Sequence, residues 1–82
     1  MDQITRTIIP LDQLPVGSKG RVVALRSDCH MRRRMQDLGL VDKTLVEAVH
    51  KSPAGDPTAY RIRGAVIALR QSDAHHVLIA SV

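Results

Sequence analysis

Turn-forming residues interrupt this chain at short, regular intervals. Pro15-Val16-Gly17 and Gly20 bracket one tight loop, Gly39 closes a second segment, Ser52-Pro53-Ala54-Gly55-Asp56-Pro57 carries two prolines and a glycine, and Gly64-Ala65 is a tight connection. Punctuation every roughly 8–12 residues leaves room for short strands and little room for long helices, the spacing of a small barrel or sandwich. Period-two patterning fills the gaps. Residues 21–25 are a β-branched run; Val46, Ala48 and His50 alternate with Leu45, Glu47 and Val49; Tyr60 and Ile62 alternate with Arg61 and Arg63. Residues 66–69 and 78–82 complete a reading of five short strands. Closing such a sheet on itself would hide its edges.

One helix is expected after the first strand. Ser27 or Asp28 can cap it, Met31, Met35 and Leu38 recur at i, i+4, i+7, and Gly39 stands where a left-handed residue ends a helix. Arg32, Arg33, Gln36 and Asp37 fall on the other side, with Arg33 and Asp37 spaced for an i, i+4 ion pair. A short helical turn from Ser72 and Asp73 through His75 and His76 precedes the last strand. Tyr60 is the only aromatic residue, so the core must be aliphatic. Its expected members are Val22, Ala24, Met31, Met35, Leu38, Val46, Ala48, Tyr60, Ile62, Ile67, Leu69 and Ile79.

A chain of 82 residues makes one domain, which excludes catalysis that needs a separate cofactor domain. Residues 1–10 read as an N-terminal extension and residues 11–82 as the domain. The single cysteine, Cys29, excludes an internal disulfide and fits a reducing compartment. There is no apolar run of the length that spans a bilayer and no secretory leader pattern, so a cytoplasmic location is expected. The net charge of +4 favours acidic partners in general. One aromatic and no recognition-helix pattern argue against nucleic acid.

Four groups of residues are candidates for function. The Gly55-Asp56-Pro57 loop is either ordinary turn chemistry or a rigid loop presented to a partner. Arg32-Arg33-Arg34 is either a solvated helix face or a docking patch for an acidic surface; the use of nine arginines against three lysines suits an interface. Arg61, Arg63 and Arg70 are either outward strand charges that block edge pairing or an extension of that patch. Cys29, His30, His50, His75 and His76 are metal-ligand types that suit zinc or ferrous iron, but neighbours on a helix point about 100° apart, so a site would need one ligand from each pair after folding or ligands from two chains. No catalytic constellation is visible. Glu47 is the only glutamate, and no Gly-x-x-x-x-Gly-Lys-Ser/Thr loop is present, so any GTP chemistry would belong to a partner.

Three segments in this order carry a resemblance: Arg34-Met35-Gln36-Asp37-Leu38-Gly39-Leu40, then Ser52 to Pro57, then Arg61-Ile62-Arg63-Gly64 running on to Ala68-Leu69-Arg70. Together with the opening Leu11-Asp12-Gln13-Leu14-Pro15-Val16-Gly17, they resemble ferrous iron transport protein A, the FeoA family, over about residues 11–82. The resemblance implies a mainly β fold, a small SH3-like barrel with a helix between its first two strands. It implies no active site. It implies a partner, the cytosolic GTP-binding part of the FeoB-type membrane transporter, whose assembly or activity the protein would modulate. A similar module occurs at the C-terminus of some iron-dependent repressors. Three positions depart from the family: Asp42-Lys43 stands where many members have Pro-Gly, and Ala54 where leucine is usual. On this reading Arg33, Arg34, Ala54, Gly55, Asp56, Pro57 and Arg61 are the expected partner contacts. The protein would need no cofactor and would be a monomer or weak dimer. The alternatives are a metal-responsive module, with zinc or iron on Cys29, His30, His75 and His76, and a small barrel that binds nucleic acid.

Overall fold

The structure, a computed structural model, describes residues 7–26 and 30–82. Six strands form one antiparallel sheet: β1 (Ile8–Pro10), β2 (Lys19–Leu25), β3 (Leu45–Lys51), β4 (Thr58–Ile62), β5 (Ala65–Leu69) and β6 (Val77–Ser81), in the order β1-β6-β2-β3-β4-β5. A 3-10 turn, Leu11–Gln13, follows β1; helix α1 (Arg32–Asp37) joins β2 to β3; helix α2 (Gln71–Ala74) joins β5 to β6.

The mainly β architecture and the helix after the strand over residues 21–25, here β2, agree with the sequence reading. Two features correct it. There are six strands, not five: residues 8–10, read as part of an extension, pair with β6 through Ile8–Ala80, Ile9–Ile79 and Pro10–Leu78. A three-residue strand is too short to show a period, and its proline is tolerated because β1 lies at the sheet edge. The expected closure is also absent from the pairing: β1 and β5 end the sheet, and no ladder joins them among the described residues.

Alternation places Val22, Val46, Ala48, Tyr60, Ile62, Val77 and Ile79 on the inner face, all nearly fully buried. Helix α1 adds Met35, and Met31, Leu38 and Ile67 pack at the margin, half-buried. Ala24, expected inside, is exposed. The β2–β6 register shifts between Val22 and Ala24, and such a bulge turns the following side chain to the other face. A second shift between Ala48 and His50 puts the His50 side chain outside. Leu11, Leu14 and Leu40, which no strand or helix period marked, are core residues.

Helix α1 ends as its sequence predicts. Gly39 has φ +101°, and the Leu40 amide donates to the Met35 carbonyl at 3.0 Å, a left-handed cap that only glycine adopts without strain. The capping residues expected at 27 and 28 lie outside the described residues. The Arg32 guanidinium donates to the Arg26 carbonyl at 2.7 Å, tying the helix start to the end of β2. No ion pair joins Arg33 to Asp37 among the described residues; both are exposed.

Candidate functional site

The loop between β3 and β4 is held by its own backbone. The Gly55 amide donates to the Ser52 carbonyl at 2.8 Å, the Ser52 amide to the Pro57 carbonyl at 3.1 Å, and the Ser52 hydroxyl to the Asp56 carbonyl at 2.9 Å. Gly55 sits at φ +94° and the Asp56–Pro57 peptide is cis. Ala54, Gly55, Asp56 and Pro57 are all exposed. The Asp56 carboxylate reaches beyond the loop. Its Oδ1 accepts from the Gln71 backbone amide at 2.8 Å, satisfying one of the otherwise unbonded amides at the start of α2. Asp56 is therefore a clasp between loop and helix, a role that adjacent turn chemistry does not reveal.

Asp12 holds side chains at both ends of the same helix. Its side chain is only 5% exposed; Oδ2 accepts from the Gln71 amide side chain at 3.4 Å, and Oδ1 pairs with His75 Nδ1 at 3.3 Å. The Tyr60 hydroxyl donates to the Leu11 carbonyl at 3.4 Å beneath. Burial pushes the Tyr60 phenol above its ordinary pKa of 10.0; a hydrogen bond with Thr58 opposes the rise, and the charges of Asp12 and Asp56 add to it. The loop, the 3-10 turn and α2 thus form one hydrogen-bonded unit that presents residues 54–57 outward.

The arginines divide between two surfaces. Arg33 and Arg34 are exposed on α1, and their side chains make no hydrogen bond or ion pair among the described residues. Arg61 lies elsewhere, on the outer face of the sheet, where its Nη1 donates to Glu47 Oε1 at 2.8 Å. Cross-strand register aligns Lys19, Glu47, Arg61 and Val66 in one row across four strands. Over the Lys19, Glu47 and Arg61 part of this row lies an open groove of about 760 Å³, with Lys19, Lys43, Arg61 and Arg63 against Asp42 and Glu47. Lys19 was not a candidate in the sequence, because only the strand register, Lys19 with Glu47 and Glu47 with Arg61, puts it on this row; Lys43 lines the groove from the turn before β3.

The histidines meet in part. His30 and His76 have ring centroids 6.2 Å apart, and His75 and His76 6.4 Å. Cys29 lies outside the described residues. Among the described residues no group of three or more His, Cys, Asp or Glu side chains is placed to hold a metal ion. His75 is instead turned to Asp12. The described residues therefore do not by themselves make a metal centre.

No helix is long and apolar enough to cross a membrane among the described residues. An open antiparallel sheet of six strands with two short helices, presenting a clasped loop and two basic surfaces, defines the class, a small mainly β domain. The chain belongs to the FeoA family, which is associated with ferrous iron transport: the model of the FeoA domain matches residues 9–81. A FeoA-like protein from Clostridium acetobutylicum is 33% identical, with 96% of this chain and 91% of that one covered at a TM-score of 0.87. FeoA from Stenotrophomonas maltophilia, a prokaryotic SH3 domain protein solved in complex with zinc, is 26% identical over 93% of this chain and 89% of that one, at a TM-score of 0.74. A manganese-dependent transcriptional repressor shares the fold at 18% identity, with a TM-score of 0.81 over 96% of this chain and 44% of its own. No curated protein sequence matches the chain.

Proposed function

We propose that this protein is a non-enzymatic cytoplasmic accessory of ferrous iron uptake, docking on the cytosolic GTP-binding part of a FeoB-type transporter and modulating its assembly or activity. Membership of the FeoA family across residues 9–81 carries the reading. The clasped loop supports it, because a segment ordered before binding loses less entropy on binding. The exposed Arg33 and Arg34 offer planar, multi-donor heads to an acidic surface. Arg61, on the outer face of the sheet and already paired with Glu47, is the secondary contact. Docking needs no cofactor. Its effect on the transporter comes from unequal affinity for two partner states, since equal affinity shifts nothing.

Ala54 gives a test in both directions. It is exposed at the loop tip where the family usually carries leucine. If the tip seats against the partner, Ala54→Leu restores buried apolar area and tightens binding to the transporter's purified GTP-binding domain by roughly tenfold. Ala54→Asp weakens it. Identical affinities for all three proteins would remove the loop from the interface. The paired change Arg33→Glu with Arg34→Glu should abolish binding while the melting curve stays near wild type.

A further inference from the structure

The two edges of the sheet are not alike. β1 is three residues long and ends in a proline, the usual protection of an edge. β5 is five residues, Ala65-Val66-Ile67-Ala68-Leu69, with no charge and no proline. Arg63 and Gly64 form its two-residue turn with φ +52° and +83°, the type I′ pattern, so Ile62 and Ala65 exchange both ladder bonds. Alternation then gives Tyr60–Ile67 and Thr58–Leu69 the remaining bonds to β4. Val66 and Ala68 are left with their amides and carbonyls directed away from the sheet. No described element other than β4 bonds to the backbone of residues 65–69. The side chains of Val66 and Ala68 are exposed on the outer face, Val66 by 55%.

Charge selects what this edge would take. Arg63 stands at its start, Arg70 follows its end, and Arg61 lies cross-strand from Val66. Beyond Arg61 the outer face continues into the groove with Lys19 and Lys43. Of the two acids there, Glu47 is already paired with Arg61. A second copy, added antiparallel, would set the Arg63 end of one β5 against the Arg70 end of the other, like charge on like. An acidic strand would instead place alternate carboxylates about two strand spacings, roughly 10 Å, from the Arg61 backbone, within the joint reach of the two side chains.

We propose that β5 is a strand-addition site for an extended acidic segment of a partner protein, bonded through the backbones of Val66 and Ala68 with its acidic side chains turned toward the basic groove. The site is separate from the loop and the α1 arginines, and it does not rest on the transporter reading.

The test uses the full chain, labelled with nitrogen-15, and a peptide of alternating glutamate and valine about eight residues long, enough to span β5. Binding should slow hydrogen exchange at the Val66 and Ala68 amides, weaken with added salt, and fail with the matching lysine–valine peptide. Ala68→Pro removes one outward amide at an edge position that tolerates proline; it should weaken the peptide by at least about tenfold. The exchange readout on the wild-type chain stands even if that variant does not fold. Equal binding of both peptides, no binding of either, or protection confined to α1 would each overturn the proposal. Protection of the same amides that rises with protein concentration alone would overturn it in favour of a second copy. Because the transporter is absent, failure here leaves the docking reading standing, and loss of transporter binding leaves this site standing.

Discussion

Lys43 holds φ at +74° in a four-residue turn closed by the Thr44 amide donating to the Val41 carbonyl at 3.0 Å. It is the third residue of that turn, where a positive φ favours glycine and where proline is favoured just before it. A left-handed backbone costs a residue with a side chain about 1–2 kcal/mol. Glycine removes that strain but frees the unfolded chain, which offsets roughly 0.5–1 kcal/mol. Lys43→Gly should therefore gain about 0.5–1 kcal/mol. The turn's other bonds survive, because they are backbone bonds at residue 43: its amide donates to the Val22 carbonyl at 2.7 Å, and its carbonyl accepts from Arg21 Nη1 at 3.0 Å. The Asp42 amide makes no hydrogen bond among the described residues, so Asp42→Pro forfeits none and adds about 0.4–1 kcal/mol by restricting the unfolded chain. The double variant should gain about 1–2 kcal/mol, which for a domain of this size raises the melting midpoint by roughly 4–15 °C. Thermal and urea denaturation of wild type, both single variants and the double, followed by circular dichroism, measures this. A double variant that melts at or below wild type would show that the turn carries no such strain. If Asp42→Pro gains and Lys43→Gly loses, the error lies in the strain assigned to residue 43.

Gly39→Ala should act in the opposite direction: φ is +101°, and a Cβ there would come within 2.9 Å of Arg63 Cδ and 3.3 Å of the buried Ile62 Cγ2. The left-handed cost and the displaced side chains together should lower stability by about 1–3 kcal/mol in urea unfolding. Tyr60 predicts an alkaline limit. Its folded pKa is raised, so its stabilising contribution is complete below the unfolded pKa near 10 and is lost as pH rises through the folded value, because the unfolded phenol ionises first. Tyr60→Phe should flatten that part of the stability–pH curve relative to wild type while costing about 1 kcal/mol at neutral pH for the lost hydroxyl bond. Asp12→Ala should release Gln71 and His75 together, and faster amide exchange in α2 with β3 and β4 unchanged would show it.

Much of this fold was legible because local signals agree. The i, i+4, i+7 spacing of Met31, Met35 and Leu38 marks α1, and Gly39 ends it; the period of Tyr60 and Ile62 marks β4. The failures have local causes. A bulge between Val22 and Ala24 breaks the period that assigned Ala24 to the core. Ile8–Pro10 is a strand only because β6 pairs with it. Leu11 and Leu14 are buried from a 3-10 turn whose i, i+3 spacing sits beside prolines and reads as loop. At the site, the loop of residues 52–57 was visible as turn chemistry. The bond from Gln71 to Asp56 spans 15 residues, and that from His75 to Asp12 spans 63. Partnerships at such separations are set by topology, as is the basic groove that register assembles around Arg61.

The proposed function is docking on the GTP-binding part of a ferrous iron transporter. Calorimetric titration of this protein into that purified domain, with GDP and with a non-hydrolysable GTP analogue at two salt concentrations, tests it most directly. Binding is expected, with an affinity that differs between the two nucleotides and weakens with salt, as contact through Arg33 and Arg34 requires. Absence of heat and of complex in both nucleotide states would contradict it.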